Sequence, residues 1–267
     1  MTVPRPCALA RPAPQPQALA APPVRGRLRD ALTQVVLLAG LFLLYRLARL
    51  LVAGHVESAF SDALALLEVE RRLHLPSELG LQHLLVHDRG LARAADLYYV
   101  SAHFPITAAV LAWSWLRRPG VYVRLRDTLV LLTALGLAVQ IAVPVAPPRM
   151  LPQLGFVDVA ATVGPSAYGS PATDHLTNQY AALPSLHVGW ALLVALALVG
   201  ALHSRWRLLW LLHPLVTLLV VVGTSNHYWI DCLAAVLLLG LATAVVTARE
   251  AAGSPVELRV QDAVAPG

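Results

Sequence analysis

The chain has 267 residues, 57% of them hydrophobic and only 13% charged, with a mean hydropathy of +0.64. Soluble domains carry about 25% charged residues, so this composition excludes an ordinary water-soluble domain. The formal net charge of +5 comes from arginines beside apolar runs, with no lysine anywhere, a placement that fits membrane topology and argues against a nucleic-acid partner.

Residues 1–30, rich in Pro, Ala and Arg, read as a disordered tail. Arg25, Arg27 and Arg29 precede an apolar run over residues 31–53. That run exceeds the roughly 7–15 apolar residues of a signal peptide, so it reads as an uncleaved membrane helix. Residues 55–90 predict two short amphipathic helices at the membrane interface. Ala63, Leu66, Leu67 and Leu73 form a partial apolar face, Pro76 breaks the run, and Ser77 caps the next helix. A structural collar is the favoured role for this segment over a grip on substrate.

Further apolar runs follow at 97–116, 128–146, 186–202, 206–223 and 228–247. They are near the ~20 residues, or at least ~17, that cross a bilayer core. The expected fold is all-α, a polytopic six-helix membrane bundle over residues 31–247 with interfacial helices on the extracytoplasmic side. Residues 248–267 form a second cytoplasmic tail.

Arginine placement orients the bundle. With the N-terminus inside, Arg117, Arg118, Arg124 and Arg126 occupy one inside loop, and Arg205 and Arg207 another. The opposite face receives residues 54–96, 147–185 and 224–227. Both termini are then cytoplasmic, in a cell or plasma membrane. Cys7 and Cys232 fall on opposite faces, so no disulfide is expected, and Cys232 reads as a small packing residue.

This sidedness places Arg149, His187, His227 and Asp231 at one membrane face. Ionisable groups at membrane depth usually face a cavity or the bundle interior. His227 and Asp231 are four apart, on one helix face, so Asp231 can accept from one imidazole nitrogen and leave the other facing a substrate. A structural hydrogen-bonded pair has the same spacing. Pro184-Ser185 reads as a helix start with Ser185 as cap and His187 in the first turn, where free N–H groups favour an anion. His187 there is either a general acid or an interfacial histidine. Arg149 lies in a proline-stiffened turn; guanidinium binds phosphate bidentately but also snorkels to interfaces.

Three blocks carry a resemblance. They are Ala146-Pro147-Pro148-Arg149-Met150-Leu151, the run Asn178 to Trp190 containing Pro184-Ser185-Leu186-His187, and Gly223-Thr224-Ser225-Asn226-His227-Tyr228-Trp229-Ile230-Asp231. These resemble the phosphatidic-acid-phosphatase type 2 superfamily, and more narrowly its inositol-phosphorylceramide-synthase-like (aureobasidin-resistance-type) branch. The resemblance implies that His227 is a nucleophile forming a phosphohistidine and that Asp231 orients it. His187 would be the general acid, then base, and Arg149, Ser185 and Asn226 would hold phosphoryl oxygens. The wider superfamily has a lysine before the first-block arginine and an arginine where this chain has Val221. Arg46 and Arg49 are candidates to replace that charge.

The implied partners are a lipid phosphoester, the bilayer, and an alcohol or water acceptor, with no cofactor and no metal. A non-catalytic lipid-binding or transport protein on the same scaffold is the alternative. Tyr99 and His103, four apart, read as a helix-helix hydrogen bond. His203 and His213 lie toward the inner face, with His213-Pro214 marking a kink. Trp113, Trp115, Trp206 and Trp210 read as an inner aromatic belt.

Overall fold

Proline and polar caps set most helix boundaries in this chain. The computed structural model describes residues 56–164 and 178–253, with helical residues between 32 and 47. The chain divides into two units, Met1–Ala39 and Gly40–Gly267; the described residues of the first are helical, and the second carries all that follows. Among the described residues the regular elements are all helices, apart from one parallel bridge between Val145 and Ala181.

The helices are α1 (Val56–Arg72), α2 (Glu78–Val86), α3 (Arg89–Ser101), α4 (His103–Arg117), α5 (Pro119–Ala142), α6 (Val159–Val163), α7 (Leu186–Ala201), α8 (Leu212–Gly223) and α9 (Trp229–Gly253). Short 3-10 turns cover Pro148–Met150, Pro152–Leu154 and Arg205–Leu211. Among the described residues, Pro119–Ala142, Arg205–Gly223 and Trp229–Ala252 are long and apolar enough to cross a membrane. α7 is apolar but has 16 residues.

The differences from the expected spans have local causes. The 97–116 run is two helices meeting at Ala102. Pro105 has no N–H to give the Ser101 carbonyl, so the ladder breaks there. The run expected at 128–146 starts at Pro119, whose missing N–H costs nothing in the first turn. Arg124 and Arg126 are therefore helical and do not lie in a loop. The same helix stops at Ala142 because Val143 precedes Pro144 and turns extended. Near His213-Pro214 the chain changes from 3-10 to α-helix. α9 runs to Gly253, past the expected end at 247. About half of the 31–53 run, together with Arg49 and Cys7, lies outside the described residues.

α1 and α2 form as expected, with Ser77 Oγ accepting from Gly80 N–H. The buried face of α1 is Ala59, Ala63, Leu66 and Glu70, at helical spacing. Leu73, expected on that face, is 59% exposed, because α1 ends at Arg72 and the chain turns away through His74 at φ of 54°. This face packs on Val145, Ala146, Leu151, Ala182 and Tyr228, the segments that link the bundle helices at one end. Deeper in the bundle, Leu125, Leu129 and Leu132 of α5 meet Val194 and Leu198 of α7 and Leu239 of α9. Cys232 is a buried free thiol in a third apolar cluster with Val188 and Val221.

Candidate active site

Backbone hydrogen bonds weave the three sequence blocks into one surface. Val145 N–H donates to Tyr180 O (2.9 Å) and Ala182 N–H to Val145 O (3.2 Å), joining the first block to the second. Arg149 N–H donates to Ser225 O (2.8 Å), joining the first to the third. Ser185 N–H donates to Asp231 O (3.0 Å), closing the second onto the third. All six predicted site residues, Arg149, Ser185, His187, Asn226, His227 and Asp231, therefore lie on one set of connected turns.

The third block begins with a Schellman turn. Ser225 N–H donates to Val222 O (2.9 Å) and Asn226 N–H to Val221 O (3.0 Å). Ser225 has φ of 56°, a left-handed position more often given to glycine. That conformation costs a non-glycine residue about 1–2 kcal/mol, and it turns the chain so that His227 faces the second block. His227 N–H also reaches Val221 O, at 3.1 Å. Asp231 is fully buried in the first turn of α9, and its Oδ2 accepts from Tyr228 N–H at 2.8 Å. This is the reaching-back half of a capping box, so the helix start itself fixes the carboxylate.

The His227 ring is held through Nδ1. Ala182 O lies 2.8 Å away and Asp231 Oδ2 3.4 Å away. The nearer acceptor is thus a carbonyl, and Asp231 shares an orienting position that the spacing alone gave to it. Two acceptors at Nδ1 place the proton there and leave Nε2 with its lone pair.

His187, in the first turn of α7, lies with its ring centre 6.1 Å from that of His227. Ser185 occupies the N-cap position, yet its side chain makes no cap hydrogen bond. His187 stacks on Tyr99 at 4.6 Å and meets His103 at 4.4 Å. His103 in turn stacks on Trp190, whose Nε1 donates to Thr133 Oγ1 at 3.1 Å. Tyr98, beside Tyr99, makes a helix-helix bond through its hydroxyl, to His213 Nδ1 (2.7 Å) and Thr217 (3.0 Å). Tyr99 and His103 line a cleft with His187, Thr217 and Val221.

Arg149 is 7% exposed, with Nε 3.9 Å from Asp158 Oδ2. Asp158 also caps α6 through Ala161 N–H, and no sequence signal marked it. Asp96 is buried nearby, its carboxyl raised above the usual range by burial and then by Asp158. Asn226 Nδ2 donates to Thr224 Oγ1 at 2.9 Å. Arg46 is half-buried on the helical residues before α1.

Behind Asp231, Glu70 Oε1 accepts from Ile230 N–H at 2.8 Å. Glu70 is 3% exposed and its carboxyl is pushed up to about 9, first by burial and then by the adjoining Glu78 side chain. The polar interruption of the Ala63-Leu66 stripe was the signal that could have found it.

No curated protein and no solved structure matches this chain. A family profile described as the PAP2 superfamily matches residues 64–245, a stretch containing all three blocks and more than half of the chain. Carrying that match and long apolar helices, the chain belongs to the PAP2 superfamily, whose members are generally phosphatases or phosphotransferases.

Proposed function

We propose that the chain is an integral-membrane lipid phosphoesterase or phosphotransferase working through a phosphohistidine on His227. The single observation that carries this reading is the His227 ring, with Ala182 O and Asp231 Oδ2 both facing Nδ1. That arrangement frees Nε2 to attack phosphorus. The P–O bond to the departing alcohol breaks, and His187 supplies its proton. Arg149, Ser185 and Asn226 hold the phosphoryl oxygens, with Asp158 steadying the guanidinium. An acceptor hydroxyl then gives its proton to His187 and attacks phosphorus, the P–N bond breaks, and His227 returns to its neutral form. Atoms and charges balance without a metal.

Water as acceptor makes the chain a phosphatase; a lipid or sugar alcohol makes it a transferase. The likeness of the blocks to the inositol-phosphorylceramide-synthase branch favours transfer of a phospho-head-group such as inositol phosphate. The site faces the extracytoplasmic side of a six-crossing bundle, with both termini cytoplasmic and α1 and α2 at the interface. The catalytic domain extends to the end of α9 at Gly253, past the boundary at 247 that hydropathy gave.

The test is purified full-length protein in detergent with a panel of phosphorus-labelled lipid phosphoesters, with and without alcohol acceptors. Free phosphate or a new phospholipid is expected, with acid-labile label on the protein. His227→Ala loses both the label and turnover; full turnover in that variant rejects His227 as nucleophile. Lipid binding without turnover by the parent protein supports a non-catalytic module instead.

A further inference from the structure

The acidic residues at the α1–α2 turn are buried against the helix that carries Asp231. Glu70, in the last turn of α1, and Glu78, in the first turn of α2, are 3% and 5% exposed. Glu70 Oε1 takes the Ile230 N–H, one of the first-turn donors that a helix cannot satisfy itself. Among the described residues, Glu70 Oε2 and Glu78 Oε1 are buried with no N–H or O–H donor, while the two side chains stand within hydrogen-bond reach of each other. Two carboxylates in contact and out of water cannot both ionise. One proton between them satisfies both oxygens.

We propose that Glu70 is a positioning residue of this site: sharing one proton with Glu78, it clamps the start of α9 through Ile230 and so fixes the His227–Asp231 pair. This rests on the role of His227 and Asp231 given above. The surrounding groups favour the protonated pair. Facing it are Glu78 from α2, Asp231 and Cys232 from α9, and Tyr228 just before α9. The nearby cations of α1 are directed elsewhere, since Arg71 and Arg72 pair with Glu68 at the surface.

Because the folded carboxyl titrates at about 9 against 4.5 when free, the native state holds a proton that the unfolded chain releases. Its contribution is complete below pH 4.5 and is lost as pH rises toward 9. Glutamine at 70 keeps both contacts, with its oxygen accepting from Ile230 and its amide donating to Glu78, and carries no titrating proton.

The experiment measures the melting temperature of the full chain in detergent across this pH range for the parent and Glu70→Gln, and turnover of phosphatidic acid for the parent, Glu70→Gln and Glu70→Ala. The parent is expected to lose melting temperature between pH 4.5 and 9, and Glu70→Gln to show a flatter slope. Glu70→Ala should lower kcat about 100-fold with little change in KM, and Glu70→Gln should recover most of that loss. Equal pH slopes in the parent and Glu70→Gln overturn the shared proton. Full kcat in Glu70→Ala, or equal loss in both variants, overturns the positioning role. The melting comparison needs no turnover, so a parent inactive toward the whole lipid panel rejects the functional reading while the slope still decides the pair.

Discussion

At His227 the determining atom is Nδ1, because its two acceptors differ in what a mutation can remove. Ala182 O is backbone and survives any substitution at 231. Asp231→Asn keeps an oxygen for Tyr228 N–H but loses the negative charge that offsets a cationic ring. Where an orienting carboxylate is the sole tautomer control, its amide variant loses about 10⁴-fold in kcat. Here the carbonyl retains the tautomer, so the expected loss is nearer 10²-fold, with helix content unchanged by circular dichroism. A loss as large as that of His227→Ala would mean that the carbonyl controls nothing. Arg149, His187, His227 and Asp231 were legible in the sequence because an ionisable group beside an apolar run is costly and stands out. Ala182 was not, since a backbone carbonyl is common to every residue. His103 and Asp158 were not, because only tertiary packing brings them to His187 and Arg149.

The turn between α8 and α9 sets the angle at which His227 leaves the bundle. Its Schellman bonds fix Ser225 at φ of 56°, and Arg149 N–H holds the Ser225 carbonyl in place. Backbone strain kept at a site must be offset by the surrounding structure. Ser225→Gly relieves it and should raise stability by up to about 1 kcal/mol, read as a higher melting temperature. Ser225→Val, branched at Cβ, should lower it by at least as much. The reverse order would show that the serine hydroxyl, not the backbone, decides this position. Element ends were the least legible part of the sequence. Hydropathy windows passed over Pro105 and included Pro144, whereas the helices broke or stopped at both for want of an N–H or of room before the ring. The α1–α2 pair was readable from its cap and its spacing; Glu70 showed only as a polar break in the apolar stripe, and its role did not, because its partner Ile230 lies 160 residues away.

At the scale of the whole molecule, the bundle has two chemically different ends. α7 and α9 begin at the site and α8 ends there, while α5 ends at Ala142, just before the first block. The other ends of α5 and α9 are tied by Arg124 and Glu250, at 2.6 Å, among Arg117, Arg118, Arg126, Arg205 and Arg207. Arginine-rich ends stay cytoplasmic, so the site should open on the opposite side. This predicts a labelling pattern with a membrane-impermeant maleimide. The background carries Cys7→Ser; Cys232, 4% exposed, stays in place. A cysteine at the exposed His87, between α2 and α3, should react in intact cells. One at the exposed Arg207 should react only after permeabilisation. The opposite pattern would put the histidines on the cytoplasmic face and require a donor lipid from the inner leaflet. The chemistry at His227 would be unchanged by that inversion, because its Nδ1 contacts are internal to the fold; only the leaflet supplying substrate would differ.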